Sequence, residues 1–192
     1  MSFIKRNVIY FDAKGRENTA TLLKAVEEYV RETDVKDLVV ASTTGETGVS
    51  ASTLFKGLNL VIVTHHTGFG EPALQELTEE NRQRILSNGA KILTATHALS
   101  GAERAIRRSF DTIGPVEVMA NTLRLFGEGT KVCVEIVLMA ADAGLIPVDR
   151  NVVAVAGSGR GADTALLIAP ANTSRLFDLA VREVIAKPRG PR

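Results

Sequence analysis

A short run of small and hydroxyl side chains is the strongest local sign of chemistry in this sequence. Residues 42–48 read Ser-Thr-Thr-Gly-Glu-Thr-Gly, follow an apolar run at 37–41 and precede a helical pattern that starts at Val49. Small side chains let an anion reach the free N–H groups of a helix N-terminus, where the helix dipole favours negative charge, and threonine hydroxyls add donors. We therefore predict a phosphate-binding loop made of Ser42, Thr43, Thr44, Gly45, Glu46 and Thr47.

A simpler interpretation of the same loop remains open. Serine and threonine are favoured helix N-caps, so residues 42–48 also fit a capped turn between a strand and a helix. Glu46 weighs against phosphate binding, because a carboxylate repels an anion unless it turns away or binds a sugar hydroxyl.

All three histidines follow predicted strands. His65 and His66 come soon after the apolar run at 60–63, and His97 follows the predicted strand at 91–95. Because ligands bind at the carboxyl ends of strands in open α/β sheets, we predict that these histidines contact a phosphate or act as general acid or base. Ordinary surface-loop histidines are the alternative, and no metal site is expected, since no H-x-x-x-H or cysteine spacing is present. The same two loops supply the binding candidates Thr64, Thr67, Gly68, Phe69, Ser100 and Gly101.

Arginines and carboxylates outside these loops provide further candidates. The glycine-rich residues 157–163 precede a strand rather than a helix, so we interpret them as a flexible hairpin in which Arg160 closes over an anion, not as a dinucleotide fingerprint. Arg104, one turn inside a predicted helix, can reach a phosphate at that helix N-terminus. Glu135 and Asp142 lie seven residues apart on an apolar helix, where carboxylates held by arginine or backbone donors are favoured over a catalytic pair.

Strand and helix patterns alternate along the first half of the chain. Amphipathic helical patterns separate apolar strand runs at 7–11, 37–41, 60–63 and 91–95. Such alternation predicts an α/β fold, a three-layer sandwich with a mostly parallel sheet.

The second half begins with helical patterns. The segment at 130–145 is nearly apolar all round and too long for a strand, so we predict a buried helix there. Runs at 152–156 and 164–169 flank a glycine turn and predict a hairpin, which places an antiparallel edge strand on the sheet, and 179–186 is expected to add a last edge strand.

The charge balance and composition exclude several classes of protein. The 23 Lys and Arg oppose 22 Asp and Glu over 192 residues, a net charge of +1, so nothing indicates a nucleic-acid partner, and no apolar run is long enough for a membrane span. One cysteine, Cys133, and an N-terminus unlike a signal peptide fit a cytoplasmic protein. We expect a single domain over 1–192, and a homo-oligomer, because the sheet edge and apolar helices need cover.

The order of these motifs resembles the C-terminal α/β domain of pyruvate kinase. That resemblance rests on the segment at 37–47, the strand at 60–63 with its following threonine, and the glycine-rich turn after 152–156. Nearly the whole chain resembles the stand-alone pyruvate kinase C-terminal-domain-like proteins of archaea and some bacteria, in segments 15–19, 66–69, 97–101, 131–135, 139–142 and 160–164.

The resemblance implies a binding rim rather than a reaction. In the pyruvate kinase domain the Ser/Thr-Gly-Thr loop holds a phosphate of a sugar-bisphosphate effector, and the stand-alone group has been associated with flavin mononucleotide, FMN. Pyruvate kinase chemistry needs a catalytic barrel with metal and phosphoenolpyruvate ligands, for which these residues leave no room. We therefore expect no pyruvate kinase activity from them.

Together these observations favour a binding domain for a small phosphorylated cofactor or metabolite, with FMN as the first choice. Residues 42–47 would hold the phosphate, residues 64–69 and 97–101 would line the ribityl chain and ring, and Phe69 would stack on the ring. One alternative is an enzyme of unknown substrate that uses His65, His66 or His97 as general acid or base. The other is a regulatory module that senses a sugar phosphate.

Overall fold

A single seven-stranded sheet runs through the molecule. The structure, a computed structural model, describes residues 3–190. The strands lie side by side in the order β1-β7-β6-β5-β2-β3-β4. Their bounds are β1 (Ile9–Phe11), β2 (Asp37–Ala41), β3 (Asn59–Thr64), β4 (Lys91–Thr94), β5 (Val152–Ala156), β6 (Thr164–Ala169) and β7 (Ala180–Pro188).

The sheet is mostly parallel, as predicted, but its antiparallel strand lies inside it. β6 runs antiparallel to both of its neighbours, β5 and β7, whereas β2, β3, β4 and β5 are mutually parallel. The predicted antiparallel strand is therefore present, but it does not lie at an edge of the sheet as expected. β7 is not an edge strand either, because β1 pairs with its outer side in parallel. A strand pattern carries no information on lateral order, and only the pairing of the N-terminal strand reveals it.

Six helices accompany the sheet in the described part of the chain. The nearly apolar segment is a helix, as predicted, and all but three of its residues are buried. The third helix begins at Glu79, because the hydroxyl of Thr78 accepts a bond from the N–H of Asn81 at 3.3 Å and caps the helix there. The bounds are α1 (Thr19–Arg31), α2 (Glu46–Leu54), α3 (Glu79–Ser87), α4 (Gly101–Phe110), α5 (Pro115–Arg124) and α6 (Glu128–Asp142).

Two apolar cores lie on opposite faces of the sheet. Side chains alternate along β2, so that Leu38 and Val40 pack with Leu22 of α1 on one face, while Val39 packs with Val137 of α6 on the other. Strands covered on both faces read as continuous apolar runs, which explains their sequences. This arrangement is the predicted three-layer α/β sandwich.

The parallel strands fix where the loops meet. β5, β2, β3 and β4 are neighbours that point the same way, so the loops that follow them emerge at one edge of the sheet. Among residues 3–190, no helix is long and apolar enough to cross a bilayer.

Candidate functional site

A large open cavity lies at the carboxyl ends of four neighbouring strands. Its volume is about 940 Å³, within the range of ligand pockets. The loops after β2, β3, β4 and β5 form one side, and α4, α5 and α6 form the other. The fold thus brings together the loops that were predicted separately, from the sequence, to bind a ligand.

The loop before α2 presents a row of free backbone donors. Within the described chain, the N–H groups of the five consecutive residues 43–47 find no protein acceptor. Four of these residues line the cavity, and the loop leads directly into a nine-residue helix. Free N–H groups at the positive end of a helix dipole are a binding site for a phosphate or another anion.

Glycine and serine shape this loop. Gly45 has a left-handed conformation with φ of 100°, which glycine adopts readily. At Gly48 a Cβ atom would lie 2.9 Å from Ile62, so only glycine lets α2 approach β3 this closely. The hydroxyl of Ser42 accepts a bond from the N–H of Gly48 at 3.0 Å. Ser42 therefore bonds the first turn of α2, but the N-cap position itself is Gly45, which has no side-chain cap bond, unlike the serine or threonine cap of the capped-turn interpretation. The five N–H groups before Gly48 stay free.

The carboxylate of Glu46 is paired with an arginine. Its Oε2 lies 2.8 Å from Nη2 of Arg16, and both side chains are exposed. The carboxylate is thus directed to a guanidinium, which removes the main electrostatic objection to phosphate binding.

Aromatic and imidazole rings cluster beside the loop. The rings of His65 and Phe69 are stacked with centroids 3.9 Å apart, and His97 lies 5.0 Å from Phe69 and 5.5 Å from His65. Nδ1 of His65 is 2.7 Å from Oε2 of Glu76. A carboxylate at Nδ1 orients the imidazole and leaves Nε2 available for a ligand or for proton transfer.

His97 is uncharged at neutral pH. Its side chain is only 13% exposed, and this burial lowers the pKa to about 4, more than the nearby carboxylate of Glu135 raises it. His65, Lys131 and His66 lower the pKa further. A neutral imidazole at the cavity can donate one hydrogen bond and accept another.

A buried ion pair underlies His97. The ammonium of Lys131 contacts Oε2 of Glu135, and Oε1 of Glu135 accepts a bond from the N–H of Leu99 at 2.9 Å. Both charged side chains are less than a tenth exposed and both line the cavity. Glu135 is therefore held by a lysine and a backbone donor, in line with the structural role favoured by the sequence.

Asp142 lies apart from this network. At the far end of α6 it accepts bonds from the N–H of Thr173 at 2.9 Å and from the Asn172 amide at 3.2 Å. Burial raises the pKa of Asp142, but these hydrogen bonds outweigh it and lower the pKa overall. Asp142 thus fastens a short 3₁₀ helix rather than contributing to the cavity.

Three arginines line the cavity without a carboxylate partner. Among the described residues, no acidic side chain lies within ion-pair distance of Arg104, Arg108 or Arg160. The Arg104 guanidinium lies over the Phe69 ring at 4.6 Å. Unpaired cations around an open cavity attract anionic ligands.

A buried aspartate holds the glycine-rich turn after β5 by hydrogen bonds. Asp163 is fully buried and accepts bonds from the N–H groups of Ser158 at 3.1 Å and Gly15 at 3.2 Å. This carboxylate therefore positions the turn that carries Arg160, while the exposed Arg160 side chain borders the cavity.

The family model for the pyruvate kinase alpha/beta domain matches residues 20–168. The chain belongs to this family. The matched region includes every loop that borders the cavity except the segment around Arg16. The resemblance noted from the motifs is thereby confirmed.

Solved pyruvate kinases match this chain over a fraction of their own length. Cryptosporidium parvum pyruvate kinase in complex with ADP is 16% identical, with 81% of this chain and 24% of that chain covered and a TM-score of 0.38. A second structure of a pyruvate kinase from the same organism is 14% identical, covers 81% and 23%, and has a TM-score of 0.40. This chain thus spans about a quarter of the length of those proteins.

Most predicted site residues of this pyruvate kinase alpha/beta domain border the cavity. Those that line it are Ser42, Thr43, Thr44, Glu46, Thr47, Thr64, His65, Phe69, His97, Ser100 and Arg160. The hydroxyl of Thr64 is already bonded to that of Thr94 at 2.7 Å. Outside the lining lie Gly45, His66, Thr67, Gly68 and Gly101, although the His66 ring packs 5.5 Å from Phe69.

Several cavity residues were not predicted. Glu76 follows His65 by eleven residues in an irregular segment, and Arg16 and Arg124 come from distant helical segments, so no spacing identified them. Lys131 had a usable signal, because a lysine four residues before a glutamate on an apolar helix indicates a buried ion pair. In the described part of this domain, no group of three or more His, Cys, Asp or Glu side chains is arranged to hold a metal ion.

Proposed function

We propose that this domain binds a phosphorylated cofactor, FMN, in the cavity at the carboxyl ends of β5, β2, β3 and β4. The observation that carries the proposal is the row of five free N–H groups at residues 43–47. Gly45 and Thr47 are buried and Thr43 is partly buried, whereas Thr44 and Glu46 are exposed. Buried N–H groups need acceptors, and a phosphate supplies three oxygens at once. The hydroxyls of Thr43, Thr44 and Thr47 and the guanidinium of Arg160 would add donors.

The remainder of the cavity suits a flat ring with polar edges. His65, Phe69 and His97 provide aromatic surface next to the loop, and the volume of about 940 Å³ is large enough for a nucleotide-sized ligand. The Phe69 ring already contacts His65 and Arg104, so direct stacking on Phe69 requires one of them to move. Neutral His97 would hydrogen-bond the ring edge without introducing charge. A bound flavin would supply electron or hydride transfer.

The absorption and fluorescence of flavin provide the test of FMN binding. Freshly purified protein is expected to absorb in the visible flavin bands or to quench the fluorescence of added FMN. Arg160→Ala is expected to weaken FMN binding by about 10-fold, because a charge-assisted bond to the phosphate is lost. The matched control is Arg175→Ala, which removes an exposed arginine paired with Asp178 and remote from the cavity. Absence of both bound flavin and quenching would refute FMN as the ligand.

A thermal-shift screen separates FMN from other phosphorylated ligands. A compound that binds only the folded chain raises its melting temperature, and at a fixed concentration a tighter ligand raises it more. If sugar phosphates stabilise the chain and FMN does not, the cavity is a sugar-phosphate sensor instead.

The His65–Glu76 contact favours a second candidate function, an enzyme acting on a phosphorylated metabolite. A carboxylate 2.7 Å from Nδ1 is the arrangement that makes an imidazole an effective general base. With a ligand from the screen as substrate, turnover that falls at least about 100-fold in Glu76→Gln while ligand affinity stays constant would support catalysis. Unchanged turnover in that variant would exclude this role.

A further inference from the structure

The cavity wall formed by α4, α5 and α6 carries charged side chains that a phosphate at residues 43–47 does not use. In the described part of the chain, every acidic side chain on this wall has a partner. Glu103 accepts bonds from two backbone N–H groups at the start of α5. The other acids form the ion pairs Arg107–Glu117, Arg124–Glu128 and Lys131–Glu135. Two arginines of α4 are left without an acid.

These two arginines, Arg104 and Arg108, lie one turn apart on the same face of α4. Both line the cavity, and neither has a hydrogen-bond acceptor or an acidic partner among residues 3–190. Arg104 is half-buried, with its guanidinium over the Phe69 ring. Like charges at this spacing repel each other and destabilise a helix. An anion bound between them relieves the repulsion, and guanidinium groups hold a carboxylate by paired hydrogen bonds.

Lys131 provides a second, independent sign of a ligand on this wall. Its side chain is only 7% exposed and lines the cavity. An ammonium has three N–H donors, but the only acceptor for this one among the described residues is Oε2 of Glu135. A buried charge is stable only when it is well paired and hydrogen-bonded. The remaining donors of Lys131 therefore need an oxygen acceptor in the cavity.

The surroundings of Lys131 favour a hydroxyl as that acceptor. Glu135 already neutralises the ammonium, so an uncharged oxygen suits this position better than a second carboxylate. A hydroxyl can also donate, and Glu135 and the neutral His97 ring, 3.8 Å apart, both offer acceptors beside the ammonium. A carbonyl oxygen could use only the donor.

The same wall also offers apolar surface. Val132, Ile136 and Met139 recur at helical spacing along the side of α6 that lines the cavity. Leu99 lies beside α6, where its N–H bonds Glu135. Apolar surface next to cations suits the carbon chain of an organic acid and adds nothing to the binding of an inorganic anion.

We propose that this wall is a second binding site of the cavity and takes a small hydroxy acid, bound at the same time as the phosphorylated ligand. The carboxylate pairs with Arg104 and Arg108, the carbon chain lies on the apolar residues of α6, and the hydroxyl bonds Lys131. The loop at residues 43–47 takes no part in these contacts. The inference therefore holds whichever phosphorylated ligand binds at that loop.

Isothermal titration calorimetry of the full chain with ω-hydroxy acids, from glycolate to 6-hydroxyhexanoate, tests the proposal. The acid of best length is expected to bind about 10-fold more tightly than the unsubstituted acid of the same length, because its hydroxyl satisfies Lys131. Arg104→Gln and Arg108→Gln are each expected to weaken binding by about 10-fold, because each removes a charge-assisted bond. Saturating FMN is expected to change the affinity for the acid by less than about 2-fold.

A double variant isolates the contribution of Lys131. Lys131→Met is combined with Glu135→Gln, so that no lone charge stays buried and the N–H of Leu99 keeps an acceptor. Circular dichroism should show that this variant folds. The hydroxy acid and its unsubstituted counterpart are expected to bind it equally. A preference for the hydroxy acid that persists in the double variant would overturn the assignment of Lys131.

Arg182→Gln is the matched control for the arginine variants. Arg182, in β7, is exposed, has no ion-pair partner in the described chain and lies outside this cavity. Its replacement is expected to leave acid binding unchanged, and an equal loss in this control would overturn the proposal. Absence of binding by every acid of the series would do the same. Competition between the acid and FMN would also refute a second site, whereas failure of FMN alone to bind would refute only the proposed cofactor.

Discussion

At the residue scale, His97 determines the electrostatic character of the cavity. Its ring lies between the cluster of His65 and Phe69 and the buried Lys131–Glu135 pair, and burial lowers its pKa from 6.5 to about 4. The site therefore presents a neutral hydrogen-bonding ring at physiological pH, whereas its positive charge comes from unpaired arginines. This division allows an anionic group and an uncharged ring to be bound by different parts of one cavity.

The lowered pKa of His97 makes the stability of the fold depend on pH. Between pH 6.5 and 4 the unfolded chain binds a proton that the folded chain does not, so acid favours unfolding in this window. The free energy of unfolding should fall by about 2 kcal/mol more in the wild type than in His97→Gln when the pH drops from neutral to about 4.5. Urea unfolding at a series of pH values measures the difference.

The carboxylates are the same in both proteins, so their contribution to the change in unfolding free energy cancels in that comparison. Parallel pH profiles for wild type and His97→Gln would show that His97 titrates normally in the folded chain, contrary to the burial argument.

The location of His97 was predictable from the sequence, but its charge state was not. The position follows from a histidine that comes soon after a predicted strand. The pKa depends on how deeply the ring is buried and on Glu135 and Lys131, which lie more than thirty residues away and reach His97 only through the packing of α6. Glu76 was unpredictable for the same reason, since its contact with His65 is set by an irregular segment.

At the scale of elements, the turn between β2 and α2 is the part of the site most tightly specified by sequence. Gly45 supplies the left-handed conformation at the N-cap, Ser42 accepts a bond from the N–H of Gly48, and Gly48 allows close packing on β3. These are local requirements, and so the turn could be read from residue types alone.

Gly45→Ala is expected to destabilise the fold and to disturb the loop. The new Cβ would lie 2.4 Å from Cβ of Asn81 and would have to adopt φ near 100°. Gly57→Ala is the matched control, because Gly57 also has a positive φ, of 86°, but no atom lies within 4 Å of the new Cβ. The control should lose about 1 kcal/mol of unfolding free energy from backbone strain, and Gly45→Ala about 2 kcal/mol or more.

Thermal or urea unfolding of the two variants provides the comparison. Equal losses of unfolding free energy would mean that Asn81 of α3 can move away from the new Cβ at no cost in free energy. The loop would then be less rigid than the structure indicates.

The arrangement of α4 shows where element-scale prediction ends. Its sequence gives a clear amphipathic pattern, and Arg104 lies one turn inside the helix, as predicted. The pattern does not say which face meets the protein, because that choice depends on the cavity and on Glu103 capping α5. The position of β7 between β1 and β6 was hidden in the same way, since strand patterns do not encode neighbours.

At the scale of the whole molecule, the near-zero net charge conceals a local asymmetry. The net charge of +1 arises from nearly equal numbers of acidic and basic side chains, yet unpaired Arg104, Arg108 and Arg160 all border one cavity. The α/β architecture produces this concentration by bringing four loops to one edge of the sheet. A small anionic ligand needs no larger field than this.

The most direct test of the account compares FMN with riboflavin, which has the same ring and ribityl chain but no phosphate. The five N–H groups at residues 43–47 and Arg160 would contact the phosphate alone. In fluorescence-quenching titrations, FMN should therefore bind at least about 100-fold more tightly than riboflavin, and inorganic phosphate should compete with it. Equal affinities for the two flavins, or no binding of FMN, would contradict the account.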